Sequence, residues 1–534
     1  MKTQRLAALL AVPLLALAAC SGSGGGSPAP QVQTATADDR PVKRGGTLTV
    51  ALDADPDALD PTTATTLVGR QVFANMCEKL YDIDANAELV PQLAAALPEV
   101  SDDGKTLTIK LREGVKFNDG TELDADAVKT SLDRHRTLAE SARAAELESI
   151  EEVEVVDPAT VRLTLSRPYT PMTAHFADRS GMIMSPKALE EEGDDFGANP
   201  VCVGPFKFAS RTSGSEIVLD RAPDYYDAAK VKADKVVYKI IVDPNVRAAN
   251  LKSGDVNVAS RLGTPTVAGI QADPKLRVVS GGGLGYYGMR INIGNVDGST
   301  EEYGKIDTPL GSNPQLREAF ELSLNRQAIN KAVFNGLHQP DCSPLPLDST
   351  YRAKGFTCTP NDPARAKQLV QQSGVPTPIK VTLSAPNDTQ NQRLAQVIQQ
   401  MVKPAGFDVQ VKTAEFVTTL EEAEAGNFDT LLNGWSGRVD PDGNLTNQVT
   451  TGDSNNYSGM SDPGIDDPIA KAAETADVAE RTKLYDQSIK KAAELRGVIY
   501  LYHLKEYLGT QRNIAGIQFF QDGLPRLKTA GYAQ

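Results

Sequence analysis

The stretch IKVTLSAPNDTQNQRLAQVIQQMVKPAGFDVQVKTAEFVTTLEEAEAGNFDTLLNGW, residues 379–435, alternates between two patterns. Apolar, β-branched runs predict strands, and the segments between them have the spacing of amphipathic helices. The predicted strands are 379–385, 407–415 and 428–435, and the predicted helices are 391–403 and 418–426. This strand–helix order indicates a parallel sheet with right-handed crossovers, whose ligands bind outside the carboxyl ends of the strands. Trp435, the single tryptophan of the chain, stands at one such end.

The segments before this unit also have clear helix signals. Asn313 is expected to cap a helix that breaks near Asn325 and ends at Gly336, and residues 362–374 repeat the pattern with an Asp, a Pro and a final Gly. The first half of the chain is instead rich in period-two strands and hairpins, with fewer helices. The expected strands lie in 45–52, 101–117, 151–166 and 203–222, and the expected helices in 124–137 and 185–191. The sequence therefore predicts a mixed α+β first lobe and an α/β second lobe.

Length and charge narrow the class of protein. A chain of 534 residues is expected to form two or more domains, since single cores rarely exceed about 250–300 residues. The net charge of −14, without a basic patch, argues against a nucleic-acid partner.

The amino terminus has the pattern of an export signal. Residues 1–19 carry Lys2 and Arg5 before an apolar run that is too short to span a bilayer of about 30 Å. The closing LAAC matches the bacterial lipobox, so we expect cleavage before Cys20 and lipid attachment to it; ordinary secretion is the alternative. Residues 20–44 then form a flexible tether rich in Gly and Ser. We expect a protein outside the cytoplasm, attached to the cell membrane by lipid alone.

The remaining four cysteines suggest two disulfides in an oxidising compartment. Three connectivities are possible. Cys342 and Cys358 flank a Pro-rich loop, which favours joining them and leaves Cys77 with Cys202; buried free thiols are the alternative. No CxxC or HExxH spacing is present, so the sequence supports neither a metal site nor a cofactor.

Several motifs occur in one order along nearly the whole mature chain: the lipobox, GGTLTVAL, DPDALDP, LREGVKFNDGTELDADAVKTSLDR, VGPFKF, LREAFELSLNRQAINKAVFNG and GWSGRVDPDGN. Together they resemble the peptide/nickel-type extracellular solute-binding proteins (family 5) of ABC importers. The resemblance implies a two-lobed, type II clamp that encloses its ligand without chemical change, so no catalytic residue is expected. It also implies an ABC permease with ATPase subunits as partners, a peptide or small-molecule ligand, and a monomer.

The expected organisation follows the two lobes. The first lobe covers 45–290 with 76–204 as an inserted subdomain, the second covers 291–500, and 501–534 returns to the first lobe.

The resemblance implies ligand contacts in the loop after the last predicted strand. Trp435 is expected to be a wall for the ligand, with core packing as the alternative. In peptide-binding relatives the third residue after this Trp is typically an Asp that pairs with the peptide's ammonium group. Here it is Arg438, which favours a carboxylate, unless it forms a salt bridge in its own loop. Asp440 could take the ammonium role; otherwise Asp440 and Asp442 are turn residues.

Two further segments are expected near the ligand. In GGGLGYYGMRINIG, residues 281–294, Gly285, Tyr286 and Tyr287 are candidates, with core packing as the alternative for the tyrosines. The GxGxxG in this segment precedes a strand rather than a helix, which argues against a dinucleotide site. Thr65 and Thr66 are expected to bind the ligand unless they cap the next helix. On that helix Arg70 is expected to face solvent.

Other functions remain open from the sequence. The same clamp could hold an amino-acid conjugate, a sugar or a metal chelate. A secreted hydrolase is a further alternative, although no GxSxG, Cys–His or metal-ligand motif supports it.

Overall fold

A computed structural model describes residues 40–534. The expected signal peptide, Cys20 and the tether up to residue 39 lie outside the described residues. In the part that is described, every helix is too short or too polar to span a membrane.

The first large sheet has seven strands and is built around the strand Thr47–Leu52. This strand runs parallel to both of its neighbours, Lys235–Ile240 and Val258–Ala259, and its apolar residues are buried on both faces. A continuous apolar run is typical of such a central strand. The strands in spatial order are Leu276–Gly281, Glu506–Gln511, Val258–Ala259, Thr47–Leu52, Lys235–Ile240, Glu216–Arg221 and Phe206–Thr212.

The second large sheet contains the unit that the sequence predicts. Ile379–Pro386 pairs in parallel with Phe407–Ala414 and with Thr430–Trp435, and helices Thr389–Val402 and Phe416–Glu424 connect them. The predicted parallel βαβαβ unit is therefore confirmed. Three antiparallel strands from elsewhere in the chain complete the sheet, whose order is Gln339–Pro340, Val498–His503, Tyr286–Ile291, Thr430–Trp435, Ile379–Pro386 and Phe407–Ala414.

Smaller sheets surround the first one. A four-stranded antiparallel sheet consists, in spatial order, of Glu99–Val100, Thr106–Lys110, Thr160–Leu165 and Ile150–Asp157. Three two-stranded pairs are Tyr81–Ile83 with Leu89–Pro91, Ile514–Ala515 with Gly531–Tyr532, and Gln518–Phe519 with Pro525–Arg526. The remaining α-helices are Leu67–Phe73, Ala125–Thr137, Met172–His175, Pro186–Glu192, Pro244–Ser253, Thr264–Gln271, Pro309–Ser312, Pro314–Leu322, Arg326–Phe334, Pro363–Gln372, Asp442–Val449, Pro463–Glu474 and Val478–Leu495. Short 3₁₀ turns cover Ala145–Leu147, Arg179–Gly181, Gly193–Ala198 and Lys403–Ala405.

Polar side chains fix the helix starts that the sequence indicates. Asn313 and Asn325 each accept backbone N–H groups at the start of a helix, so the expected break is the junction of two separate helices. The end of the second helix differs from the expectation, because Asn335 takes the left-handed conformation before Gly336 does. Asparagine tolerates this conformation better than other non-glycine residues.

Each large sheet has its own core. The main core of the first sheet includes Leu48, Phe73 and Phe176, and the main core of the second includes Leu383 and Leu432. We call these two halves the first and second lobe. The chain passes between the two sheets after Gly281 and again after His503, because each sheet takes one of the strands that flank these crossings.

The two disulfides join Cys77 to Cys202 and Cys342 to Cys358. These are the pairs that the sequence favours. The first bond lies in the first lobe, since both of its cysteines are part of that core.

Candidate functional site

Trp435 ends its strand at the edge of the second lobe, and the loop after it is fixed by one asparagine. The indole Nε1 donates to Asn444 Oδ1 (3.1 Å), which also accepts the backbone N–H of Arg438 (2.7 Å). The amide of Asn444 returns a hydrogen bond to the Arg438 carbonyl (2.8 Å). The guanidinium of Arg438 lies 4.5 Å from the centre of the Trp435 ring, which is half-buried. Trp435 is therefore both a core residue and a support for Arg438.

Arg438 forms an ion pair with the opposite lobe. Its Nε lies 2.8 Å from Oδ2 of Asp178, and both side chains are buried. Asp178 belongs to a segment that packs in the first core, between Phe176 and Met182. Arg438 therefore pairs with Asp178 of the other lobe rather than with an acid of its own loop.

The expectation that Arg70 faces solvent is wrong. Its side chain is buried; its Nε donates to Asp178 Oδ1 (3.0 Å), and its Nη1 donates to Ser436 Oγ (3.2 Å) in the second lobe. The physical reason is the burial of the whole helix, because every residue from Val68 to Phe73 is covered. A helix without a solvent-facing side places its arginine against whatever acid lies beside it, and here that acid is Asp178.

Two more arginines stand behind this contact. Arg179 Nη1 donates to the Ala64 carbonyl (2.7 Å), and Arg143 pairs with Glu146 (2.7 Å). All four arginines and both acids of this group, Arg70, Arg143, Arg179, Arg438, Glu146 and Asp178, are at most 9% exposed. We call this set the arginine cluster; among the described residues it contains four guanidinium groups and two carboxylates.

The charges of the cluster shift the pKa values of its members. Burial and the neighbouring Arg143 hold the pKa of Arg179 well below its usual range, while Asp178 opposes them. Burial lowers the pKa of Arg438 to about 10 against the opposing effect of Asp178. For Asp178, burial would raise the pKa, but Arg438, Arg70 and Arg179 hold it well below the ordinary value. The site therefore favours negative charge and penalises further positive charge.

A pocket between the lobes lies directly at this contact. Its wall includes Arg70 and Asp178 from the first lobe and Gly437, Arg438 and Val439 from the second. The space that remains is about 10 Å³, enough for a single water molecule. The lobes are therefore in contact at this pocket, and a solute larger than water does not fit into it unless they move apart there.

Asp440 does not face this pocket as a free acid. Both of its oxygens accept from Arg481, at 2.7 and 2.9 Å, and Oδ1 also accepts the backbone N–H of Asp442. Arg481 is itself enclosed by Tyr351 and Tyr485 of the same lobe. Asp440 therefore already has a buried partner in its own lobe, and its contact with a ligand's ammonium group stays a prediction.

The expected contacts in the glycine-rich segment have structural roles. Tyr286 is buried in the second lobe, with its ring edge-on to Tyr500. Tyr287 stacks on Tyr502 and donates to Asn391 (2.6 Å). Both rings pack as the core alternative expects, and a ligand contact by either tyrosine stays a prediction. A Cβ at Gly285 would lie 2.4 Å from the Trp435 carbonyl oxygen, so glycine permits the close approach of the two chains.

Thr65 and Thr66 bind an acid of their own loop. The two hydroxyls donate to the two oxygens of Asp57, at 2.7 and 2.6 Å, and Thr66 also caps the helix that starts at Leu67. The capping alternative therefore describes Thr66. Thr65 is exposed, and the Ala64 carbonyl next to it accepts a hydrogen bond from the buried Arg179.

Three contacts between the lobes were missed in the sequence. Asp442, taken there as a turn residue, accepts the hydroxyl of Tyr169 (2.7 Å) and lies 3.7 Å from His175 Nε2. The backbone of Thr170 donates to Ala473 (2.8 Å). These partners are separated by about 270–300 residues, and no local pattern connects positions so far apart.

A possible metal group has no free thiolate. Asp341, Cys342 and Cys358 have ligand atoms within 4.8 Å of one another, but the two cysteines are joined in a disulfide. Residues 40–534 therefore offer no metal chemistry at this position.

Residues 88–457 match the family model described as bacterial extracellular solute-binding proteins, family 5 Middle. This match covers well over half of the chain, so the chain belongs to this family, whose members bind solutes for ABC transporters and are not enzymes. The fold is accordingly that of the two-lobed, type II periplasmic binding proteins.

Individual relatives agree over nearly the full chain. The glutathione-binding protein GsiB of Pectobacterium atrosepticum is 28% identical over 470 residues, 86% of this chain and 88% of that protein. The solved structure of the periplasmic binding protein AgaA in complex with agropinic acid, from A. tumefaciens R10, is 29% identical with a TM-score of 0.79 and covers 92% of this chain and 99% of its own. The binding protein DppA of Helicobacter pylori, in complex with the peptide STSA, has a TM-score of 0.82 at 23% identity, over 92% and 99% of the two chains, and shows the fold alone.

Proposed function

We propose that this protein captures a peptide with a free carboxylate between its two lobes and delivers it to an ABC permease. The observation that carries the proposal is the buried guanidinium of Arg438 at the pocket between the lobes. A planar guanidinium binds a carboxylate in two places, and its fixed positive charge repels an ammonium group. The position that typically holds an Asp in peptide-binding relatives therefore selects the opposite charge here.

The surroundings of Arg438 support an acidic ligand. The arginine cluster has two more positive than negative groups, and Asp440 is paired with Arg481 and so is not free to bind an amine. Trp435 offers a flat apolar face beside the guanidinium. Both relatives with 28–29% identity bind acidic molecules by name or composition, glutathione and agropinic acid. Because agropinic acid is not a peptide, a small non-peptide acid is the alternative ligand for the same clamp.

We propose that the two crossings of the chain between the sheets are the hinge of the clamp. Gly282 and Gly283 in the first crossing have φ values of +78° and +136°, which favour glycine. The second crossing is bound to the first, because Leu504 N–H donates to the Gly285 carbonyl (3.1 Å). The first lobe then ends before Tyr286 rather than at residue 290, since that strand pairs in the second sheet. The segment 76–204 remains its inserted subdomain, and 506–534 returns to it.

We also propose that the mature protein begins at Cys20 and is held at the outer face of the cell membrane by lipid on that residue, as a monomer that meets its permease there. The support is the sequence pattern of residues 1–20. Replacing Cys20 by serine is expected to release the protein from the membrane fraction. The lipid anchor would be ruled out if the serine variant stays in the membrane fraction and the wild type takes up no labelled fatty acid.

Thermal unfolding with a panel of solutes tests the proposed ligand. The panel pairs di- to octapeptides with their C-terminal amides and their N-acetyl forms, and includes sugars, small organic acids and nickel chelates. A ligand at 100 times its dissociation constant adds about 2.7 kcal/mol to the free energy of unfolding. We expect the free C-terminal carboxylate to be required and the free amino group to be dispensable.

The matched variant is Arg438→Ala, which is expected to abolish the stabilisation by carboxylate peptides. Arg134→Ala is the control, because Arg134 forms a partly buried pair with Asp60, and neither residue lines the pocket. Equal stabilisation by peptides and their C-terminal amides would contradict the proposal. Stabilisation by small organic acids alone would favour the alternative ligand.

A further inference from the structure

The contact between the lobes contains a carboxylate of the protein at the place where the proposed ligand would bring one. Asp178 lies between Arg70 Nε (3.0 Å) and Arg438 Nε (2.8 Å), and these three side chains form part of the pocket wall. Arg70 and Asp178 belong to the first lobe and Arg438 to the second. The ion pair of Asp178 with Arg438 therefore exists only while the lobes are together.

When the lobes separate, Asp178 and Arg438 differ in the partners that they keep. Asp178 keeps Arg70 in its own lobe, and Arg179 Nε lies 3.8 Å from it on the same side. Arg438 keeps the Gly437 carbonyl (2.9 Å) and the Trp435 ring, but it loses its only anionic partner among the described residues. Opening therefore leaves the negative charge of Asp178 paired with Arg70, and it leaves Arg438 able to bind another carboxylate.

The arginine cluster also has an excess of positive charge, which a further carboxylate would reduce. Four guanidinium groups face two acids, and the Nε atoms of Arg143 and Arg179 are buried without a hydrogen-bond partner. Further acids close by already have partners. Asp522, which also lines the pocket, pairs with Arg526, while Asp57 accepts from Thr65 and Thr66 and Asp442 accepts from Tyr169. Excess buried positive charge is costly, so one more anion stabilises the cluster rather than crowding it.

We propose that Asp178 is a resident competitor of the ligand's acidic group: it closes the empty cleft by pairing with Arg438, and an acidic solute binds by replacing it there. Arg70 is then a specificity-determining residue, since it holds Asp178 when the solute takes Arg438. This inference rests on the proposed function only in taking the pocket as the solute site. It makes a separate statement about the protein without solute, namely that this ion pair is required to keep the lobes closed beside the contacts that Asp442 makes with Tyr169 and His175.

Small-angle X-ray scattering of the purified protein without added solute tests the closure. A compact chain of about 500 residues has a radius of gyration of about 23 Å, and we expect the wild type to be close to this value. Asp178→Asn and Arg438→Gln, each of which removes one end of the pair, are both expected to increase it. Asp178→Glu keeps the charge and Arg134→Gln breaks a partly buried pair outside the pocket, and both are expected to stay compact.

Circular dichroism of each variant establishes that it is folded, so that an increase in size reports opening. Should Asp178→Asn fail to fold, Arg438→Gln decides the question, because it leaves Asp178 with Arg70 and Arg179. A wild type that is already expanded, or variants that remain as compact as the wild type, would overturn the inference.

Titration calorimetry with trialanine, as the free acid and as the C-terminal amide, tests the competition. If Asp178 competes, Asp178→Asn binds the free acid about tenfold more tightly than the wild type does, as expected for the loss of one charged contact. Weaker or unchanged binding would show that Asp178 contacts the ligand's cationic group or has no part in binding, and either result overturns the competition. If neither form binds to any variant while the scattering result stands, the proposed peptide function fails and the closure by Asp178 does not.

Discussion

Replacing Asp440 by asparagine separates the two roles that the sequence left open for this acid. In the structure both of its oxygens bind Arg481, whose side chain is 4% exposed. The substitution keeps the shape of the side chain and removes its charge. If Asp440 is a structural partner, the damage is therefore to the stability of the second lobe and not to ligand binding.

The expected magnitude follows from the surroundings of Arg481. Removing one partner of a buried ion pair costs about 3–5 kcal/mol. Here the loss is smaller, because the asparagine oxygen still accepts one N–H, and the hydroxyls of Tyr351 and Tyr485 remain at 3.1 and 2.8 Å. We therefore expect the free energy of unfolding to fall by about 2–3 kcal/mol, which lowers the melting temperature of a lobe of this size by about 4–12 °C.

Differential scanning calorimetry measures this change, and an exposed pair provides the control. Glu154 and Arg162 are joined at 2.9 Å on the surface, and Glu154→Gln is expected to cost less than about 1 kcal/mol. Binding of trialanine and of N-acetyl-trialanine is then compared in Asp440→Asn and wild type. An unchanged melting temperature together with a lost preference for the free amino group would refute the structural role and restore Asp440 as the ammonium partner.

Three more predictions concern the loop, the disulfides and pH. Gly437 has φ +81°, and a Cβ there would lie 2.3 Å from the Leu284 carbonyl carbon. Gly437→Ala is therefore expected to lower both the melting temperature and the affinity for solute. Gly452→Ala is the control, because a Cβ there meets nothing within 4 Å, and it is expected to change the affinity little. Removing the disulfide that closes the 16-residue separation between Cys342 and Cys358 by a double serine substitution is expected to cost about 3 kcal/mol in urea unfolding; a loss below about 1 kcal/mol would contradict this. For His175, burial would lower the pKa, but Asp442 and Glu146 raise it above 6.5, with Asp440 adding to their effect and Tyr169 in direct contact. A raised pKa stabilises the folded state fully below the ordinary value of about 6.5 and less as pH rises through the raised one. His175→Gln is therefore expected to flatten the decline of melting temperature as pH rises above about 6.5; an unchanged slope would show that His175 does not contribute.

The fold could be predicted from the sequence wherever the pattern was local. The parallel unit of 379–435 has uninterrupted strands, strong helix spacing and short connections, and each element lies within about two residues of its expected position. The additional antiparallel strands could not be placed in this way. Tyr286–Ile291 is predicted as a strand, but its partners, Thr430–Trp435 and Val498–His503, are at least 139 residues away, and only tertiary packing selects them.

The same limit decides which residues the sequence can indicate as part of the site. The sequence indicates Trp435 and Arg438 because a strand end and a change of residue type are visible locally, and their contact with a ligand stays a prediction. Arg70 was misjudged, since two of the seven residues of its helix, Arg70 and Gln71, are of a type usually exposed, and the short pattern gives no sign that both are buried. Asp178 had no signal at all, because an isolated Asp before a short 3₁₀ turn is ordinary in sequence and acquires its role only when Arg438 is brought beside it.

The backbone of the loop explains how the ligand's charge can change within an unchanged fold. Asn444 binds the indole of Trp435 and both backbone groups of residue 438, so the path of the chain there does not depend on the side chain at 438. An arginine or an aspartate can thus occupy the same position without rearranging the lobe. The side chain does, however, meet Asp178 across the cleft, and an acid at 438 would place two buried carboxylates together. Under the proposed function, a change of ligand charge at 438 therefore requires a change at 178 as well, and the two positions, 260 residues apart, are expected to act as one specificity determinant.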